Sequence, residues 1–212
     1  MADVPDETLR AVLSIARRRT FAKNEIVFHR GDPADSLHLI VKGRFAVRVM
    51  TPLGDTATIA VRGPGESFGE MALVTEDGRR TATVAALEPA ETRAVYRTDF
   101  ERVRSTHPSV NQALITFLVT EVRMLNDRLL EALYIPADRR VLRRLIDLIE
   151  LYPDSDEGAT VPLTQEELAE LAGTSRATVN QVLRREEERG TVELKRGRTL
   201  VVDRDALVKR AG

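Results

Sequence analysis

The sequence contains no cysteine in its 212 residues. That removes disulfides, thiolate nucleophiles and cysteine-held iron–sulfur clusters. Long apolar runs are also missing, and none approaches the roughly 18 residues of a membrane span. The N-terminal MADVPDETLR is acidic and lacks the hydrophobic core of a signal peptide. A cytoplasmic chain without a membrane partner is therefore expected. The 3 histidines, His29, His38 and His107, are scattered. They have neither the spacing of a metal site nor a nucleophile beside them, so each reads as a surface or packed side chain. No enzyme activity and no metal is expected. Haem ligation stays open, and a visible absorption spectrum decides it.

What is present is enough chain for one large or two small domains, with 42% hydrophobic and 31% charged residues. The formal net charge is only −1, but it is unevenly spread. Asp138 to Glu170 holds 9 acidic residues and 4 arginines, a balance of −5. Thr174 to Arg210 holds 10 basic and 6 acidic residues, a balance of +4. Positive charge thus gathers near the C-terminus, as on a surface that meets phosphate.

The periodicity changes along the chain. Asp6 to Arg18 predicts a helix, with Leu9, Val12, Leu13 and Ala16 on one face. From Phe21 to Tyr96 come short β-prone runs: EIVFH, SLHLIVKG, RFAVRVM, TATIAVRG, TATVAALE and TRAVYR. Turn residues at Gly31-Asp32-Pro33, Gly43, Pro52-Leu53-Gly54-Asp55 and Gly63-Pro64-Gly65 separate them. Many closely spaced strands predict a double-sheet jelly roll or barrel. Glycines 31, 43 and 65 are assigned to turns needing positive φ, and Gly69 is set apart.

After Asp99 the period is helical. From Ser109 to Tyr134, Ile115, Leu118, Val122, Leu125, Leu129 and Ala132 follow steps of three and four. They form a two-strand coiled-coil seam of roughly three heptads. Leu114 and Phe117 can pack on the helix's own domain. Pro136 breaks the helix and marks a hinge. A helix from about Arg139 to Leu151 follows, then the polar loop YPDSDEGAT. Thr164 to Glu167 reads as a capping box, and Thr174 or Ser175 as the cap of the next helix, with Val179, Val182 and Leu183 facing inward. TVELKRGRTLVV predicts a β-hairpin with a basic tip.

Two stretches carry chemistry. In FGEMALVTEDGRRTATV, Phe68 to Val84, a Gly-Glu pair precedes an Arg-Thr pair by eleven residues. Gly69 lets backbone approach closely, and neighbouring amides can face a phosphate. Arg80 supplies a permanently charged fork and Thr81 a hydroxyl donor. Glu70 can accept from a ribose hydroxyl. Together they suit a small anion that carries a sugar. The bland alternative is a surface ion pair between Glu70 and Arg80. The second stretch, LTQEELAELAGTSRATVNQVL, is Leu163 to Leu183.

The first stretch resembles the phosphate-binding cassette of cyclic-nucleotide-binding domains. The second resembles the winged helix-turn-helix of the CRP/FNR family of bacterial transcription regulators. The motifs stand in the family's order, and the resemblance runs from about Phe21 to Val202. It implies an α+β chain in three parts: a β jelly-roll cyclic-nucleotide-binding domain over 1–108, a dimerisation helix and hinge over 109–136, and a winged helix-turn-helix domain over 137–212. The missing cysteines argue against the family branch that senses oxygen through a cluster.

By the same resemblance, Gly69, Glu70, Met71 and Ala72 line the ribose-phosphate end, with Arg80 and Thr81 on the cyclic phosphate. The family reads the base from the long helix, where Leu125 and Asn126 stand. Leu125 departs from the hydroxyl expected there, while Asn126 can read an adenine amino edge. Asn126 borders the seam, so a ligand touching it would couple nucleotide binding to helix pairing. Arg123 is a candidate to brace Glu70 from a partner chain. Cyclic AMP is the expected allosteric ligand, and Thr81 leaves cyclic GMP open. On DNA, Arg176 is the candidate guanine reader and Gln181 a base or phosphate contact. Ser175 and Thr178 are placed on phosphate, and Lys195 and Arg196 on the backbone. Ala177 replaces a glutamate, and Gln181 an arginine, of the member whose operator preference is best known. The operator therefore differs from that half-site or is read less stringently. The implied partners are double-stranded DNA, RNA polymerase and a second copy of the chain. A regulator of this fold that needs no ligand is the alternative.

Overall fold

The computed structural model describes residues 6–51, 54–73, 78–152, 154–155 and 158–212. Pro52 and Leu53 of the expected turn, and Pro153, Asp156 and Glu157 of the polar loop, lie outside the described residues. So do residues 74–77 of the cassette and the N-terminal MADVP. The chain forms two compact units, divided within the long helix between Met124 and Leu125, with Thr56–Thr58 grouped with the C-terminal unit.

The first unit opens with α1 (Asp6–Ile15) and β1 (Arg17–Phe21). The expected helix to Arg18 is therefore too long. Arg17, Arg18 and Arg19 pair instead with Ala94, Arg93 and Thr92 in an antiparallel ladder. This is tertiary pairing overriding local preference, because arginine is a good helix former. The strands that follow are β2 (Ile26–Phe28), β3 (Ser36–Lys42), β4 (Phe45–Met50), β5 (Thr56–Arg62), β6 (Ser67–Phe68), β7 (Thr83–Ala86) and β8 (Ala90–Tyr96). They make two four-stranded sheets, β1-β8-β3-β6 and β2-β7-β4-β5.

β3 shows why the unit holds together. Both of its faces are covered there, so the first five of its seven residues, Ser36–Ile40, are all buried. Ile40 joins Phe21, Phe45, Phe68 and Val84 in one core cluster. Leu37 and Leu39 join Leu73, Val95, Phe100, Val103 and Val110 in another, where Val12, Ile15 and Leu114 add partly buried cover. That second cluster anchors α2 (Arg97–Thr106) and the start of α3 (Pro108–Tyr134) to the sheet. Pro108 stands at the first turn of α3, where no helical N–H is lost. Farther along, α3 leaves Ile115, Val119, Val122, Leu125, Leu129, Leu130 and Leu133 exposed, each by 46% or more.

The second unit contains the rest of α3, then α4 (Ala137–Leu151), β9 (Asp154–Ser155), β10 (Gly158–Val161), α5 (Gln165–Ala172), α6 (Arg176–Glu188), β11 (Val192–Lys195), β12 (Arg198–Val201) and α7 (Arg204–Ala211). Part of the expected polar loop is strand: β10 pairs with β12, giving the sheet order β11-β12-β10-β9. Val141, Leu145, Val179, Leu183 and Leu207 are fully buried at its centre. Helix α7 was not read from the sequence, although Asp203 caps it by accepting from the Ala206 amide.

Candidate functional site

The cassette is built around one arginine. Arg80 is only 5% exposed. Its Nη1 donates to the Ser36 carbonyl at 2.7 Å and more distantly to that of Gly69 at 3.5 Å. Its Nη2 donates to Ser36 Oγ at 3.0 Å and Asp35 Oδ1 at 3.3 Å. The guanidinium carbon lies 3.9 Å from the centre of the Phe28 ring, a cation–π contact. One donor is left over: Nε is buried without a hydrogen-bond partner among the described residues. Burial lowers the Arg80 pKa from its ordinary value, opposed by Asp35, Asp32 and Glu70. The carboxylate bonded to Arg80 is thus Asp35, the residue just before β3, which the sequence did not single out.

Gly69 closes the other side. Its φ is +83°, and a Cβ there would meet Arg80 Nη1 at 2.8 Å and the Ser36 carbonyl at 3.0 Å. Glycines 31, 43 and 65 also have positive φ, as expected of turns, and Gly69 shares that need. A short 3-10 turn, Glu70–Leu73, carries Met71 and Ala72. Thr81 is exposed, with its hydroxyl 3.6 Å from the Met71 sulfur. Gly69, Met71, Arg80 and Thr81 are therefore brought together.

Glu70 has its own surroundings. Burial raises its pKa, and the nearby charge of Glu121 raises it further, while Arg62 and Arg80 act against this. Arg62 on β5 donates to Glu66 at 3.0 Å and pairs with Glu121 on α3. The charge that approaches Glu70 from its own chain's α3 is Glu121, with Arg62 between, whereas Arg123 is exposed. Beneath the cassette, His38 stacks on Phe68, with ring centres 4.9 Å apart and planes 5° from parallel. Its Nδ1 lies 3.0 Å from Thr92 Oγ1. Burial, then the charges of Arg80 and Arg19, lower its pKa to about 3, so it is a neutral core histidine. Leu125 and Asn126 are exposed on α3.

In the second unit, α5 opens with the full capping box: Glu167 N donates to Thr164 Oγ1, and Thr164 N to the Glu167 carboxylate. The chain turns through Gly173 into α6. Ser175, not Thr174, caps it, accepting from the Thr178 amide at 3.1 Å. Their hydroxyls also meet at 3.0 Å. Helix α6 buries Val179, Val182, Leu183 and Glu186. Arg176, Ala177, Asn180, Gln181 and Arg184 stand exposed. The helix runs from Arg176 to Glu188. The β11–β12 hairpin turns at Arg196 and Gly197, with Lys195 opposite Arg198. Arg176, Lys195 and Arg198 share a groove of about 430 Å³ with Thr164, Gln165 and Glu166.

A strand-rich cassette followed by a capped helix-turn-helix and a basic hairpin is a specific pairing, and comparison with known proteins agrees. The family model described as "Cyclic nucleotide-binding domain" matches residues 18–107, and that described as "Crp-like helix-turn-helix domain" matches 139–210. The chain belongs to the CRP/FNR family. Among curated members, it is 33% identical over 203 residues to the cyclic AMP receptor protein of Thermus thermophilus, covering 96% of this chain and 91% of that one. It is 31% identical over 197 residues to a CRP-like cAMP-activated global transcriptional regulator of Mycobacterium tuberculosis, covering 90% and 86%. These relatives are regulators rather than enzymes. Among solved structures, the Thermus thermophilus catabolite activator protein matches with a TM-score of 0.56 at 31% identity, over 99% of this chain and 96% of that one. The c-di-GMP-responsive regulator CLP of Xanthomonas campestris matches with a TM-score of 0.79 at 21% identity, over 93% and 99%, a likeness of fold.

As a CRP/FNR member, the chain has a cyclic-nucleotide-binding domain joined to a DNA-binding one. No described helix is long and apolar enough to cross a membrane. Asp35, Ser36, Phe28 and Arg62 are the cassette neighbours that sequence reasoning missed. The Phe-Gly-Glu and Arg-Thr words are local signals. Asp35 reaches Arg80 only because a strand 44 residues earlier supplies the Ser36 backbone.

Proposed function

We propose that this chain is a cyclic-AMP-responsive transcription regulator that binds a roughly palindromic operator as a homodimer. One observation carries the nucleotide part: the unpartnered Arg80 Nε, buried at the edge of a cradle that a Cβ on Gly69 would fill. A phosphate oxygen gives that donor the acceptor it lacks, and a second oxygen can take Nη2 in a bidentate contact. Thr81 adds a donor and Glu70 an acceptor for a ribose hydroxyl, beside Gly69, Met71 and Ala72. Leu125 and Asn126 are the proposed base contacts, with Asn126 favouring the adenine edge. Cyclic GMP is the alternative through Thr81.

The exposed apolar side chains of α3 support the dimer. A stripe of this length matches a coiled-coil seam. We assign 1–108 to the nucleotide domain, 109–136 to the dimer helix and hinge, and 137–212 to DNA. There Arg176 reads a guanine with Ala177 and Gln181 beside it, while Ser175, Thr178, Lys195 and Arg196 hold phosphates. RNA polymerase is the partner this role requires. Ligand binding shifts the DNA domains by favouring the DNA-competent state, a coupling of about 1–3 kcal/mol.

Calorimetry with cyclic AMP on the wild type and Arg80→Ala tests the phosphate role, and equal affinities would refute it. A ligand-independent regulator is the second reading. It is favoured by the internal partners that Arg80 already has at Ser36, Gly69 and Asp35. DNA titrations with and without nucleotide separate the two.

A further inference from the structure

Helix α6, which the proposed function sets against DNA, carries no hydrogen-bonding side chain at Ala177 on its outward face. Helix α6 buries Val179, Val182, Leu183 and Glu186, so its outermost position falls at Ala177. A methyl group there makes no hydrogen bond to a base. Sequence-reading capacity must come from the flanks, and one flank carries a prepared side chain. Asn180 lies one turn after Arg176, exposed and on the same side of the helix. Its Nδ2 donates to Gln165 Oε1 at 3.0 Å. Gln165 is the first residue of α5, directly after the capping Thr164, so its backbone is firmly placed.

An asparagine amide has two N–H donors and one acceptor oxygen. Gln165 takes one donor. One donor and the acceptor remain on a group that the Gln165 contact orients. In the major groove, that pair matches adenine, which offers the N7 acceptor beside the N6 donor. Guanine offers two acceptors and thymine an acceptor and a methyl group, so neither matches. A helical turn advances about 5.4 Å, which is one to two base-pair steps of roughly 3.4 Å from the base facing Arg176.

We propose that Asn180 is a specificity-determining residue that reads an adenine in each half-site, and that Gln165 is its positioning residue. The inference rests on the DNA-binding reading above. Bound duplexes are selected from a random pool by the full chain, with cyclic AMP and without. Affinities are then measured by anisotropy on duplexes changed one base pair at a time. Asn180→Ala should lose the preference at a single A·T pair per half-site, roughly 5- to 150-fold, with preferences elsewhere unchanged. Replacing that adenine by 7-deazaadenine, which lacks N7, should weaken the wild type and leave the variant as it was. Gln165→Ala should lose much of the same preference. Gln165→Glu keeps the acceptor oxygen, so it should keep the preference while binding every duplex more weakly. Both sites are away from the buried core, and an unchanged Tm checks that the variants fold. Identical preferences in Asn180→Ala and the wild type would overturn the inference alone and reduce the Gln165 contact to a tie between helices. Equal loss in both Gln165 variants would overturn the positioning role. A wild type that enriches no sequence would overturn the DNA-binding reading itself.

Discussion

Gly69→Ala isolates the geometry on which the nucleotide reading depends. Two costs arise. The first is conformational: Gly69 has φ +83°, where a side chain costs roughly 1–2 kcal/mol. The second is local: the new Cβ would stand 2.8 Å from Arg80 Nη1 and 3.0 Å from the Ser36 carbonyl. The Ser36 carbonyl belongs to a buried strand paired on both edges, so it resists movement. Arg80 is the softer neighbour and must swing away, which breaks its 2.7 Å bond to Ser36. Gly65→Ala is the matched control. Its φ is +86° with nothing within 4 Å of the added Cβ, so it pays only the first cost. Gly65→Ala should lose about 1–2 kcal/mol of stability, a few degrees in Tm, and Gly69→Ala should lose more, because it also gives up the Arg80–Ser36 bond. Only Gly69→Ala should lose cyclic AMP affinity. Displacing a charge-assisted phosphate contact worth ~1.5–3 kcal/mol lowers affinity by about 10- to 100-fold. Calorimetry and thermal unfolding on the two variants read both quantities. Near-wild-type affinity in Gly69→Ala, or an equal loss in Gly65→Ala, would refute the placement of the phosphate against Arg80.

Four further outcomes are expected. Asp35→Asn should raise cyclic AMP affinity a few-fold, because Asp35 holds the Arg80 Nη2 that a bidentate phosphate needs. Its side chain is 66% exposed, so the effect stays under about 1 kcal/mol, and unchanged or weaker binding contradicts it. His38 has a folded pKa near 3 against 6.5 unfolded, so the unfolded chain binds more protons between those values. Stability should fall as pH drops through that window, by up to about 1.4 kcal/mol per pH unit, and His38→Gln should remove that part of the slope in denaturant titrations. Glu70 has a raised pKa and slopes the opposite way, equally in both proteins, so the difference between them reports His38. Leu129→Glu on the exposed face of α3 should yield monomers in sedimentation, while a persistent dimer would move the interface elsewhere. Arg176→Ala should cost about 1–3 kcal/mol and relax one base pair, whereas a uniform loss on all operators would make it a phosphate contact.

The parts of this protein legible from sequence share one property: their cause is local. The capping box is written in Thr164 and Glu167, three residues apart, and the structure forms both of its bonds. The α3 stripe is a period, and the hairpin of β11 and β12 is two β-prone runs around a glycine. Arg17 and Arg18 failed because their strand exists only through pairing with β8, more than seventy residues later. The cassette divides the same way. Gly69, Glu70, Arg80 and Thr81 are the residues from which the sugar-phosphate site is proposed, by type and spacing. What holds Arg80, however, is Asp35 and Ser36 on one side and Phe28 on another, none of which has a motif.

That division bears on the nucleotide response proposed above. A guanidinium already bonded to Asp35 and Ser36 does not wait open for a ligand. An incoming phosphate gains the unpaired Nε but must exchange Nη2 away from an internal carboxylate. Binding energy at the phosphate end is therefore a difference between two charge-assisted contacts rather than the whole of one. The Arg62–Glu121 pair stands beside Glu70 and bridges β5 to α3. In the proposed complex, a ligand on Glu70 stands near the charge of Glu121, on the helix that also bears the exposed apolar stripe. Helix α6 repeats the pattern at the other end of the chain. Asn180 looks unremarkable within TVNQVL, and only its contact with Gln165, fifteen residues earlier, fixes which of its hydrogen-bonding groups remain free for a base.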